Sequence, residues 1–157
     1  MWKALRNFLG ALGEKVPLRF GNRDSKNSSM LTALCLLTEP EDRKVVVDLG
    51  LAQRWEVFFA TRIEEAGRFL RESGPQVILL DRDFIEGDWR ETMTGFAKSR
   101  GACVILVSKV LDDYLWNEVV SCGGYEVLPK PLRQEELART IRLARSYWSS
   151  ASRYQIK

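Results

Sequence analysis

Apolar positions along the chain fall into short continuous runs, separated by stretches in which they recur every three or four residues. Leu31 to Leu37 is almost unbroken in apolar residues, as expected of a strand buried on both faces, and Asp42 to Arg54 follows with helical spacing. Trp55 to Ala60 predicts a second strand. Thr61 with Glu64 has the pattern of a capping box opening a helix to about Ser73, where Gly74-Pro75 stops it. Gln76 to Leu80 and Cys103 to Val107 predict two more strands, with a helix between them from Trp89 to Arg100. Leu111 to Cys122 predicts a helix closed by Gly123 and Gly124, with Leu111, Leu115 and Val119 facing inward. Tyr125 to Leu128 is a short fifth strand and Glu135 to Tyr147 a last helix. Strand and helix alternating in this way imply a three-layer α/β domain: a parallel sheet with helices on both faces, because right-handed crossovers put successive helices outside the strands.

Before this body, Trp2, Leu5, Phe8, Leu9 and Leu12 fall on one stripe of a short amphipathic helix, with Lys3, Arg6 and Asn7 turned away. The run from Gly21 to Ser29 is small and polar and reads as a linker. The expected division is an amphipathic extension over 1–20, a linker over 21–29, the folded domain over 30–148 and a tail over 149–157. At 157 residues, 45% hydrophobic and 29% charged, the chain has room for one packed domain and an appendage. The net charge of +3 is concentrated in residues 1 to 29, which hold six Lys/Arg against two Asp/Glu, while the body is close to neutral. No basic stripe crosses the folded part, so direct nucleic-acid binding is not expected. Contact of the basic leader with a membrane surface would insert only a few side chains, so docking against protein is the favoured reading.

The chain has no histidine, which removes every Ser-His and Cys-His catalytic arrangement. Cys35, Cys103 and Cys122 are odd in number and lie far apart in apolar surroundings, so free thiols in a reducing, cytoplasmic setting are expected rather than a zinc site or disulfides. Neither GxGxxG nor GxxxxGK[ST] occurs, so neither common phosphate-cradling loop is present. In open α/β sheets ligands bind beyond the carboxyl ends of the strands. Thr38-Glu39, Asp81, Ser108 and Pro129-Lys130-Pro131 stand at those ends, gathering carboxylates, a hydroxyl and an ammonium along one rim. Carboxylates suit a hard divalent cation, and a hydroxyl with a lysine suits phosphoryl oxygens.

With LLTEPEDR after the first strand, VILLDRDF around Asp81, VILVS ending at Ser108 and YEVLPKPL around Lys130, the region from Leu31 to Tyr147 resembles a response-regulator receiver domain of the CheY-like superfamily. The resemblance implies a doubly wound, flavodoxin-like five-stranded sheet of order 2-1-3-4-5. It implies that Asp81 accepts a phosphoryl group in a two-component phosphorelay, from a histidine kinase or phosphotransfer protein. Glu39, Asp81 and the backbone carbonyl of Asp83 would hold Mg²⁺, Ser108 and Lys130 would bind the phosphoryl oxygens, and Lys130-Pro131 would be cis. Such a domain is no enzyme in its own right. With only about ten residues after the last helix, its signal would pass to a downstream protein, through a surface for which Tyr114 and Trp116 are candidates.

Four departures from the family pattern lie near this chemistry. Thr38 stands where the first acid of an acidic pair is usual, which implies weaker Mg²⁺ binding. Lys109 takes the place of a small residue at the entrance, and Val127 that of the aromatic switch three residues before Lys130. Ile85 lies where proline is frequent. These departures raise an alternative: a pseudo-receiver that binds partners without phosphorylation.

Overall fold

The computed structural model describes residues 18–19, 30–99 and 102–154. Its strands are β1 (Leu18–Arg19), β2 (Thr32–Leu36), β3 (Glu56–Phe59), β4 (Val77–Asp81), β5 (Cys103–Ser108) and β6 (Glu126–Pro129). The helices are α1 (Pro40–Gln53), α2 (Ile63–Ser73), α3 (Trp89–Ala97), α4 (Asp113–Ser121) and α5 (Gln134–Tyr154), and a 3₁₀ turn spans Arg82–Phe84. The sheet order is β1-β3-β2-β4-β5-β6. All neighbours from β3 to β6 are parallel, so these five strands have the expected 2-1-3-4-5 order.

Successive strand residues point to opposite faces, and both faces are covered. Ala33, Cys35, Val77, Leu79, Ile105 and Val107 pack with Val46 and Leu49 of α1 and Leu137 and Ile141 of α5. The intervening residues, Leu34, Leu36, Ile78, Leu80, Val104 and Leu106, pack with Phe69 of α2, Met93 and Phe96 of α3, and Leu115 and Val119 of α4. Trp55, Phe58 and Phe69 are all buried, as expected, and the Phe58 and Phe69 rings stack 4.2 Å apart. Burial pushes the Cys35 and Cys103 thiols up, Cys103 to about 12, which leaves both inert.

Several boundaries and orientations differ from the sequence-based expectation. Leu18–Arg19 forms an antiparallel edge strand on β3, too short for any periodicity to reveal; the amphipathic helix expected before it lies outside the described residues. The last helix continues past Tyr147 to Tyr154, since no glycine or proline interrupts it, so part of the expected tail is helical. Leu111 is exposed, not inward: Asp112 caps α4 by accepting from the Leu115 N–H at 2.7 Å, so Leu111 precedes the helix and misses its buried stripe. At the start of α2 it is Glu65, not Glu64, that folds back on Thr61, its Oε2 accepting from the Thr61 hydroxyl at 2.9 Å. Thr61 lies one residue before the observed cap, Arg62, which moves the reciprocal position to Glu65.

Gly124 follows α4 at a close approach. A Cβ there would meet Val119 Cγ1 at 2.6 Å and Met93 Sδ at 2.9 Å, both buried. Gly124→Ala is therefore expected to destabilise by about 1–3 kcal/mol through overpacking, measured as the shift of the urea unfolding midpoint.

Candidate functional site

Asp81 ends β4 and Lys130 follows β6, and parallel pairing in register through β5 places both on the carboxyl rim of the sheet. The Asp81 side chain has 0% exposure and the Lys130 side chain 3%, with Lys130 Nζ 2.7 Å from Asp81 Oδ2. The same oxygen accepts from the Thr38 hydroxyl at 2.7 Å and the Thr38 N–H at 3.3 Å. Oδ1 accepts from the Asp83 N–H at 2.9 Å. Lys130 Nζ also donates to Thr38 Oγ1 and to Asp83 Oδ2, each at 3.2 Å. Four donors thus surround a carboxylate that offers about four lone-pair positions. Burial alone would push the Asp81 carboxyl up, but hydrogen bonds from Lys130, Thr38 and the Asp83 backbone, with the Lys130 charge, hold it below the ordinary aspartate value. For Lys130, burial would push the ammonium down, and its contacts with Asp81 and Asp83 hold it above the ordinary value.

The other predicted site residues divide between this rim and solvent. Ser108 is buried on the rim, but its hydroxyl accepts from the Val110 N–H at 3.1 Å and its carbonyl from the Lys130 N–H at 3.1 Å. The Lys130-Pro131 peptide is cis. Lys109 is exposed, 4.0 Å from Asp83 Oδ2, and Val127 is buried. Glu39 is not brought into the cluster. It is exposed at the N-cap of α1 and makes no capping bond, while Leu37 enters the core and Thr38 takes the position against Asp81. Where β2 gives way to α1 the two-residue alternation ends: Pro40 opens the helix and Glu39 is its extended N-cap residue, exposed to solvent.

Asp42 was not anticipated as part of this arrangement. It is 1% exposed, and its Oδ1 accepts from the Leu132 N–H at 2.8 Å, tying α1 to the loop that carries Lys130. The sequence held a signal: Asp42 is in helical phase with Val46 and Leu49, so an acid stands in the buried stripe. Tyr114 and Trp116 are exposed; Trp116 Nε1 donates to Glu126 Oε1 at 3.1 Å. Val110, Leu111 and Val120 are exposed nearby, and Asp112, Asp113 and Glu126 supply acids around them.

To bind Mg²⁺ the Asp81 carboxylate would have to give up donors that it now holds. The Asp81 oxygens face N–H and O–H donors, Glu39 is turned out, and among the described residues no three His, Cys, Asp or Glu side chains gather where a metal could be held.

No protein-family model matches the chain, and no curated protein does. Solved structures do. The signal receiver domain of a putative Luxo repressor protein from Vibrio parahaemolyticus is 14% identical with a TM-score of 0.68, covering 82% of this chain and 100% of that one. A response regulator from Thermotoga maritima is 18% identical with a TM-score of 0.68, covering 75% and 99%. The chemotaxis protein CheY4 of Vibrio cholerae is 18% identical with a TM-score of 0.65, covering 74% and 99%. The chain therefore has the fold of response-regulator receiver domains, the CheY-like, flavodoxin-type arrangement. Among the described residues no helix is long and apolar enough to cross a membrane.

Proposed function

We propose that the protein is a receiver-fold signalling module that acts by binding another protein, with Asp81 serving as a fixed, buried anion rather than as a phosphoacceptor. One observation carries this reading: the Asp81 carboxylate has no exposed surface, and its oxygens are taken by Lys130, Thr38 and the Asp83 N–H. A nucleophilic oxygen must be reached in line by the phosphodonor, and here an approach would have to break the Lys130 and Thr38 bonds first. Thr38 brings no negative charge where a metal site favours a carboxylate, so it adds nothing to offset that loss. The exposed apolar group of Val110, Leu111, Tyr114, Trp116 and Val120 is the surface we assign to the downstream partner.

The second reading is a phosphoacceptor receiver that takes its phosphoryl group from a histidine kinase or phosphotransfer protein with Mg²⁺. It is favoured by the placement of Asp81, Ser108 and Lys130 on one rim. Incubation with a small acyl phosphate and Mg²⁺, followed by intact-mass measurement, separates the two. The expected result is no phosphoryl adduct; an adduct abolished by Asp81→Asn would establish the second reading instead.

A further inference from the structure

On the sheet face built over Phe58, Leu80 and Leu106, an open groove of about 670 Å³ runs between α2 and α3, lined by Ile63, Gly67, Leu70, Thr92, Gly95 and Phe96 among others. Two glycines stand within helices here, where glycine lowers helix stability relative to alanine. The body's own packing does not require them. A Cβ on Gly95 would meet nothing within 4 Å, and one on Gly67 would meet only Arg71 Nη1 at 3.6 Å. Neither glycine has a positive φ. Paired glycines flanking an apolar floor instead suit the close approach of another backbone.

The path of the chain supplies a candidate. Because β1 is antiparallel to β3, with Leu18 opposite Val57 and Arg19 opposite Glu56, the N-terminal end of β1 faces the end of β3 that leads to Ala60 and the rim from which α2 starts. α2 packs Phe69 on Phe58 of β3 and is the helix of this face nearest that edge. The residues before Leu18 lie outside the described part, but their sequence predicts the stripe Trp2, Leu5, Phe8, Leu9 and Leu12. From Trp2 to Leu12 a helix spans about 15 Å, the same as the 11 residues of α2. The five residues from Gly13 to Pro17 can extend about 17 Å, more than the roughly 8–10 Å between packed helix axes, so the leader can cross the start of α2.

We propose that this stripe docks in the α2–α3 groove of its own chain, antiparallel to both helices, with Leu12 toward Ile63 and Trp2 toward Gly74. The helix polarity is then opposed to both neighbours, and Lys3 and Arg6 remain in water. The inference is independent of whether Asp81 is phosphorylated.

Trypsin cleavage after Lys3 and Arg6 tests it on the full chain, with the free peptide of residues 1–17 as the undocked reference. Docking predicts cleavage on the order of tenfold slower in the chain than in the peptide. Leu5→Ser with Phe8→Ser should restore the peptide rate by removing the stripe. Gly95→Trp should restore it by filling the groove, without unfolding the body, because the space above Gly95 is open. Equal rates in chain and peptide would overturn the proposal. So would protection that survives Gly95→Trp, or protection lost on dilution, which would place the stripe elsewhere or on a second copy.

Discussion

Lys130→Met is expected to lower the unfolding free energy by about 3–5 kcal/mol, because it leaves the Asp81 carboxylate buried without its cation. The pair is 2.7 Å apart and almost wholly removed from water, so solvent screening does not relieve the loss. Thr38 and the Asp83 N–H still donate to Asp81, but neither supplies a charge. The expected signature is a lower urea midpoint with an unchanged slope. Lys130→Met combined with Asp81→Leu should recover most of the loss, since an apolar replacement of a buried ion pair is commonly near neutral. If the double variant is no better than Lys130→Met alone, the cost lies in packing and the charge argument fails.

The same pair sets the response to acid. The Asp81 pKa is lowered in the folded state, so its contribution is fully present above the unfolded value of about 3.9 and is lost as pH falls through the lower folded value. Asp81→Asn removes this titration, and its stability should therefore fall less steeply than that of the parent over that acidic window. Equal slopes in the two proteins would mean that the Asp81 carboxyl is not held below its ordinary value.

The layers of this fold were legible because each one repeats a simple period. Leu31 to Leu37, broken only by Thr32, and Cys103 to Val107 are apolar because both sheet faces are covered, and their short length, with the β-branched content of the second, marks them as strands. The rim was legible for the same reason, since a strand's last residue locates the carboxyl end. What the periods did not carry was the orientation of single residues just beyond them. Thr38 and Glu39 are adjacent, and their exchange of roles depends on how the chain leaves β2 for Pro40. Leu111 depends likewise on Asp112 being the cap. The antiparallel pairing of Leu18 and Arg19 is a tertiary event with no local signature in a two-residue strand.

Trp89→Ala is expected to cost about 3–5 kcal/mol, the usual loss for a large aromatic removed from a core. Trp89 is 4% exposed at the first position of α3, in one apolar cluster with Leu80, Met93, Leu106, Leu115 and Val127. The Arg90 guanidinium lies 4.8 Å and that of Arg82 5.8 Å from its ring centroid, while Arg90 also bridges to Glu118 of α4. Removing the ring would open a cavity and strip these guanidinium groups of their platform. Trp89→Phe should be far milder, below about 1.5 kcal/mol, because it keeps an aromatic and eliminates an indole N–H that is buried without a hydrogen-bond partner. Arg90→Ala should give a much smaller loss than Trp89→Ala, because Arg90 is 40% exposed and its ion pairs with Asp88 and Glu118 lie at the surface. The ordering matters for function. Val127 on β6 is small, and Trp89 in the same cluster stands on α3, which Arg90 clasps to Glu118 of α4. Signalling by a swinging aromatic on β6 then has no residue to perform it. A Trp89→Ala variant as stable as its parent would mean that this clasp is not what holds α3 against α4.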